Sequence, residues 1–376
     1  RFNKFKAEWE NTFATLFGAL ISNIIAASES VAPYYYHKAK KGATSTVVSV
    51  DIGGGTTDVL IVDKGEPKYL TSFRFAANTI FGDGYSYDSD SNGFVNKYKD
   101  IITNQLETNN LRGLKAVLKS VLDKRVSTDV IAFLFSLASN KEIKKEKVEI
   151  NFAKMLADDN RGKYVVILFY VAIVYHIAKL MKAKGFDMPR HMTFSGNGSK
   201  VLNILSTNDA TLVRLTKIIF EEIYAQSYSI DGLDIIRPAN SKESTCKGGI
   251  ILTPFQSQDY GEIKDMKTIL IGTDNEKFAD VHMTYNDVTE ADLDSVVDVI
   301  KEYIEFTFKL DKKFSFYDNF DVDRSIMNKV KDLCYRDIRT YLENGLAIKK
   351  SEIAQDGADD NLEETLFFYP LVGIIN

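Results

Sequence analysis

The sequence predicts an α/β fold: a small sheet carrying two glycine turns, a mainly helical insertion between them, and a C-terminal α/β extension. Three observations predict it. A run of β-formers, Val47-Val48-Ser49-Val50, is broken by Asp51-Ile52-Gly53-Gly54-Gly55-Thr56-Thr57-Asp58 and resumes at Val59-Leu60-Ile61-Val62, the pattern of a hairpin with a glycine tip. Residues from about 90 to 185 are helical in pattern and carry no turn signal strong enough for another sheet. A second short strand, His191 to Phe194, then runs into Gly196-Asn197-Gly198-Ser199-Lys200, with a helix beginning near Ser199.

Each element has its own reason. Between Glu10 and Glu29, apolar residues at Phe13, Leu16, Phe17, Leu20, Ile21, Ile24 and Ile25 fall on one helical face. The stretch SESVAPYYYHKAKKG leads from that helix to the hairpin. At the tip, three glycines remove every Cβ and permit positive φ, so that amide N–H groups can face a ligand. The threonine hydroxyls add donors, and Asp51 supplies a carboxylate suited to hydrated Mg²⁺, which prefers carboxylate, phosphate and water oxygens. Two readings stay open for this tip: a phosphate cradle, and a glycine-rich hairpin capped by an Asp. It lacks the Lys-Ser/Thr ending of a P-loop, and it precedes a strand where a Rossmann loop precedes a helix. Next, YLTSFRFAANTIFGDGYSYD begins as a strand and reaches a Gly82-Asp83-Gly84 turn.

Within the insertion, the longest apolar run is Tyr164 to Ala178, interrupted by His176; it is too short to span a bilayer and reads as a buried helix. The second glycine turn places amides and a favourable dipole at a helix N-terminus. By itself it is either a ligand loop or a packing junction. Together with the first turn it suggests one nucleotide held from two sides. Residues 256–376 contain an amphipathic helix around Val288 to Phe308 and an apolar end, LFFYPLVGIIN, which reads as an element cut off from a partner surface.

With 376 residues and 45% hydrophobic content, the chain can bury a substantial core in two or more lobes. A net charge of −5 argues against nucleic acid as the main partner, and the cationic stretch Lys141 to Lys147 alternates with glutamates like a solvated helix face. Cys246 and Cys334 are too few and too separated for a disulfide framework or zinc site, which points to a reducing, cytoplasmic compartment. His37, His176, His191 and His282 show no ligand spacing. The string DSDSNG from Asp88 to Gly93 imitates a calcium loop, but Lys99 stands where a bidentate Glu is required. No signal peptide is visible, and the chain opens on Arg1 without an initiator Met, the expectation being a piece of a longer protein.

These motifs together resemble the actin-like ATPase superfamily: actin, the DnaK-type chaperones and the filament proteins MreB, FtsA and ParM. DIGGGTTDV is similar to the superfamily's second phosphate motif and FSGNGSK to its adenosine motif. In family order stand ESVAP, where a connecting-helix motif precedes the phosphate hairpin, FAANTIFGDGY, and SKESTCKGGIIL. Departures are Ser30 where proline is usual and Asn197 where another glycine is usual. The resemblance implies a ribonuclease H-like lobe over residues 1–255, with a helical insert at about 90–185 standing where the chaperones' small subdomain closes over the base, and an extension of unassigned role over 256–376.

It also implies roles. Asp51 would hold Mg²⁺ through water and, with Thr56, serve catalysis. Gly53, Gly54, Gly55 and Thr56 would contact the β- and γ-phosphates of ATP or ADP. Gly196, Asn197, Gly198, Ser199 and Lys200 would line the adenosine, while Thr57 and Asp58 brace the hairpin. The family's first phosphate motif, Asp-x-Gly-Thr/Ser, belongs upstream of the connecting helix; the nearest string, IGTDNE at Ile271, lacks its Asp. The chain therefore reads as the second lobe, inactive in hydrolysis without a first lobe as partner. The alternatives are a non-catalytic nucleotide-binding scaffold or filament protein controlled by assembly with itself or other proteins, and a sugar or acetate kinase, whose catalytic acid is not found.

Overall fold

Strand β1 (Val47–Ile52) is buried at every position, the environment of a strand covered on both faces, and its apolar residues accordingly run with little alternation. It pairs antiparallel with β2 (Thr57–Asp63), setting Val47 opposite Val62 and Ile52 opposite Thr57. Strand β3 (Glu66–Phe73) pairs antiparallel with β2 after a turn at Lys64 and Gly65, both with positive φ, the backbone of the primed two-residue hairpins. On its other side β1 runs parallel to β4 (His191–Ser195), and β4 parallel to β5 (Asp234–Ile236). The order is β3-β2-β1-β4-β5. This computed structural model describes residues 2–21, 24, 31–41, 45–82, 90, 92–229, 232–238, 241–252, 283–356, 361–362 and 364–375. Asp83 and Gly84 of the expected turn, Asp88, Ser89 and Ser91 of DSDSNG, and IGTDNE lie outside them.

The two faces of the sheet are covered differently. Val48, Val50, Ile52, Val59 and Ile61 enter the large core. Val47, Leu60 and Val62 meet a smaller cluster with Val31, Tyr34 and Tyr35 around α2 (Ala32–Lys41), and with Leu252 after α12 (Ser241–Ile251). Helices α2 and α12 approach so closely at Gly248 that a Cβ there would sit 1.7 Å from the Ala32 carbonyl oxygen.

The crossover from β3 to β4 is the expected helical insertion. It comprises α3 (Ala77–Phe81), α4 (Gly93–Thr108), α5 (Arg112–Asp123), α6 (Ser127–Ser136), α7 (Lys141–Lys145), α8 (Phe152–Ala157) and α9 (Asn160–Ala183). Among the described residues α9 is the one helix long and apolar enough to cross a membrane, and 89% of its 18-residue apolar window is buried inside the protein. Apolar on nearly every side, it is a core helix, as the run from Tyr164 to Ala178 predicts. Phe169 stacks on Phe75 at 5.0 Å, and Tyr170 meets Phe194 of β4 at 5.7 Å. The last helix of the insertion thus lies under the sheet and does not belong to a detached lid.

Two expectations are corrected, for the first helix and the apolar end, and the extension is described in part. The first helix, α1 (Phe2–Phe17), starts earlier than Glu10 and stops at Gly18, whose φ of 59° is the left-handed conformation that ends helices. The C-terminal region is helical among the described residues: α13 (Glu290–Phe314), capped by Thr289 and Asp292 in a reciprocal box, then α14 (Phe316–Phe320), α15 (Arg324–Asp356) and α16 (Phe368–Ile375), with one isolated bridge between Thr284 and Asn361. Its apolar end is no stranded surface. Phe367 and Phe368 are 0% and 2% exposed, and Phe368 stacks on Phe73 and Phe75 at the end of β3. The Tyr303 hydroxyl of α13 donates to the Leu168 carbonyl of α9 at 2.6 Å, so these helices complete the same core.

Candidate functional site

The chain leaves β1 toward β2 on one side of the sheet and leaves β4 toward β5, through α10 (Leu202–Leu205) and α11 (Asp209–Tyr224), on the other. The gap between two strands whose connections diverge is where open α/β sheets bind ligands, outside the carboxyl ends of the strands. Both glycine turns lie there, one after β1 and one after β4.

Asp51 and Ser195 are register partners across β1 and β4. The Ser195 hydroxyl donates to Asp51 Oδ2 at 3.0 Å, which holds a carboxylate only 9% exposed at the base of both turns. Two pairs below, on the same face, the Thr193 hydroxyl bonds the Ser49 hydroxyl at 3.1 Å, and on β2 Asp58 stands directly opposite Asp51. Sequence reasoning missed Ser195. It sits in FSGNGSK, but only the parallel register assigns it to Asp51.

The hairpin tip is held from behind. Gly53 N–H donates to the Thr56 carbonyl at 2.9 Å, and the buried Thr57 hydroxyl donates to the Phe75 carbonyl at 2.6 Å, the bracing role expected of Thr57. The first turn of α3 donates forward, Ala77 N–H to Gly53 O at 3.2 Å and Asn78 N–H to Gly54 O at 2.8 Å. Asn78, also missed, lies behind the tip. Gly54, Gly55 and Thr56 are exposed. None of the three glycines takes a positive φ, which corrects the expectation that they are there to permit it. A Cβ on Gly53 would stand 3.1 Å from Thr56 O; on Gly54 it would make ordinary contact with the Asn78 side chain at 3.5 Å; on Gly55 it would meet nothing within 4 Å.

The second turn is built otherwise. Gly196 has φ 80° and ψ 155°, backbone open to glycine alone. A Cβ on it would lie 2.2 Å from Ile52 O and 2.4 Å from Asp51 Oδ1, and one on Gly198 would lie 2.2 Å from Gly53 O. The two turns therefore touch, backbone against backbone, and form one wall. The helix expected near Ser199 is a 3-10 turn, Asn197–Val201, followed by the four-residue α10, too short to present a strong dipole. The Ser199 hydroxyl is bound to Gly196 O at 2.7 Å, whereas Asn197 and Lys200 are exposed.

Among the described residues no group of three or more His, Cys, Asp or Glu side chains could cage a metal ion. Asp51 with its serine partner fits an ion held chiefly by water and phosphate oxygens, the habit of Mg²⁺. No protein-family model and no curated protein matches the sequence. Among solved structures the chain is similar to component A of (R)-2-hydroxyglutaryl-CoA dehydratase from Acidaminococcus fermentans, at 14% identity over 62% of this chain and 70% of that one, with a TM-score of 0.23. A score of that size carries no argument. What stands is a mixed α/β fold whose two glycine turns meet over a buried aspartate.

Proposed function

We propose that the chain is a nucleotide-binding lobe of the actin-like ATPase kind, holding the phosphates of Mg-ATP or Mg-ADP on the exposed hairpin tip. The observation that carries this reading is the pair Gly54-Gly55. Neither backbone conformation nor an internal contact calls for glycine there, yet both face solvent beside a buried carboxylate at the strand-order switch point. Glycine loses more backbone entropy on folding than any other residue. A close approach from outside by phosphate oxygens to bare amides accounts for it.

The roles follow the chemistry of each group. Amides of the Gly54–Thr56 tip and the Thr56 hydroxyl donate to phosphate oxygens. Asp51, fixed by Ser195, orients water on Mg²⁺, which when bound neutralises phosphate charge. Exposed Asn197 and Lys200 are the members of the second turn placed to meet the nucleoside, while Gly196 and Gly198 keep the wall closed. Hydrolysis needs the metal, the phosphate and the attacking water all fixed, and a misplacement of about 1 Å costs on the order of a hundredfold. One wall fixes only part of that set, so turnover requires a second lobe.

Calorimetric titration of Mg-ATP into the 376-residue chain is expected to give a Kd of about 0.1–1 mM, some 4–5.5 kcal/mol, weakened severalfold in Asp51→Ala. Absence of binding by the wild type at millimolar nucleotide, or identical binding by Asp51→Ala, contradicts the proposal. A phosphate-release assay on the same protein is expected to show negligible turnover; steady turnover abolished by Asp51→Ala would mean that the chain supplies both walls.

A further inference from the structure

We infer that Phe368 and Glu364, far along the chain, are positioning residues for the Gly53–Thr57 hairpin, acting through the segment Phe73-Arg74-Phe75. Phe368 stacks on Phe73 at 4.1 Å and on Phe75 at 4.7 Å. Glu364, 8% exposed, accepts from the Arg74 backbone N–H at 3.0 Å through one carboxylate oxygen and from the Tyr369 hydroxyl at 3.0 Å through the other. The Arg74 guanidinium reaches Glu352 of α15 at 2.7 Å. The C-terminal segment thus holds the end of β3 by ring stacking, by a backbone hydrogen bond and by an ion pair.

That same segment is the back wall of the hairpin. Phe73 is the register partner of Thr57, and the Phe75 carbonyl accepts from the Thr57 hydroxyl. Two residues on, Ala77 and Asn78 donate to the Gly53 and Gly54 carbonyls. Phe368 therefore reaches the glycine tip through a single intervening segment. Loosening it frees the Phe75 carbonyl and the start of α3 to shift, and the tip amides lose their fixed aim. The C-terminal helices do for the hairpin what a rigid supporting shell does for a binding group: they set its geometry without touching the ligand. Only the affinity arm of the test rests on the phosphate reading.

Hydrogen exchange of the full chain, followed by mass spectrometry, tests this with Phe368→Ala, Glu364→Ala and Glu364→Gln. Exchange at Gly53 and residues 77–79, whose amides donate within the tip and the start of α3, is expected to rise about 5–10-fold in the two alanine variants, while β4 and α11 stay at wild-type rates. Glu364→Gln, which keeps an acceptor for Arg74 N–H, is expected to restore the wild-type rate. A uniform rise across the protein, or no change at the tip, overturns the inference, because a merely stabilising contact acts through global opening. Should Phe368→Ala fail to fold, Thr57→Val provides the reverse measurement: coupling is reciprocal, so exchange at residues 366–369 must rise. Flat exchange there overturns the inference equally. Mg-ATP affinity measured on the same variants separates the two claims. Altered tip exchange in a protein that binds no nucleotide sinks the phosphate reading alone, and wild-type affinity with wild-type tip exchange in Phe368→Ala sinks the positioning role alone.

Discussion

Replacing Gly196 by Ala and Gly55 by Ala makes the same chemical change in two turns that touch, yet the consequences are expected to have opposite sign. At Gly196 the added methyl meets Ile52 O at 2.2 Å and Asp51 Oδ1 at 2.4 Å, and φ 80° with ψ 155° is a conformation that an alanine adopts only under strain. Backbone of that kind costs roughly 1–3 kcal/mol, and forcing a methyl into filled space costs roughly 1–3 kcal/mol more. With an unfolding entropy of about 2.1 cal/mol/K per residue, the 376-residue chain loses about 1 °C of Tm for each ~0.8 kcal/mol. Gly196→Ala is therefore expected to melt about 3–8 °C below wild type. At Gly55 the methyl points into open space and φ is not positive, so reduced freedom of the unfolded chain is the main effect, worth about 0.4–1 kcal/mol in favour of the variant. Calorimetry or a thermal melt followed by circular dichroism reads both. A wild-type Tm for Gly196→Ala would refute the contact between the turns. A loss at Gly55→Ala matching that at Gly196→Ala would refute the claim that the fold does not need the tip glycine.

Other outcomes follow from buried groups. His176 is 3% exposed among Phe73, Phe367 and Phe368, its Nδ1 without a hydrogen-bond partner, and burial pushes its imidazole from 6.5 down to about 3. Between those values the unfolded chain binds the proton and the folded one does not. Stability is thus complete above about 6.5 and is lost as pH falls, at about 1.4 kcal/mol per pH unit. Urea midpoints at pH 6.5 and 5 should reveal about 2 kcal/mol of loss that His176→Leu removes; an unchanged slope in the variant would contradict it. Ser195→Ala removes from the buried Asp51 carboxylate the donor at 3.0 Å and is expected to cost about 1.5–3 kcal/mol in a urea titration. A cost near zero would mean that water replaces the serine.

The hairpin and the second strand were readable because runs of β-formers and glycine turns are local signals, and the core helix because an apolar run of that length leaves few alternatives. What separates Gly55 from Gly196 was not readable. Glycine is the same letter whether φ, a neighbouring carbonyl or a ligand demands it, and here the neighbouring carbonyl of Ile52 comes from another strand. The C-terminal LFFYPLVGIIN read as an element cut off from a partner surface because its partners within the chain, Phe73, Phe75 and His176, lie far upstream and are set by tertiary contact alone. Ser195 became a partner of Asp51 only through the β1–β4 register. The glycine turn read as leading into a helix near Ser199; the close approach of Gly198 to Gly53 O instead accompanies a tight 3-10 turn over Asn197–Val201.

The most direct test of the phosphate wall is Mg-ATP titration of Gly55→Val alongside wild type, each first shown by its melting curve to be folded. Valine at this position meets no protein atom near its Cβ, yet its branched side chain stands where phosphate oxygens must approach the tip amides. The account predicts measurable heat for the wild type and a Kd at least tenfold weaker for the variant, a difference of about 1.4 kcal/mol or more. Equal affinities for two equally folded proteins would contradict it.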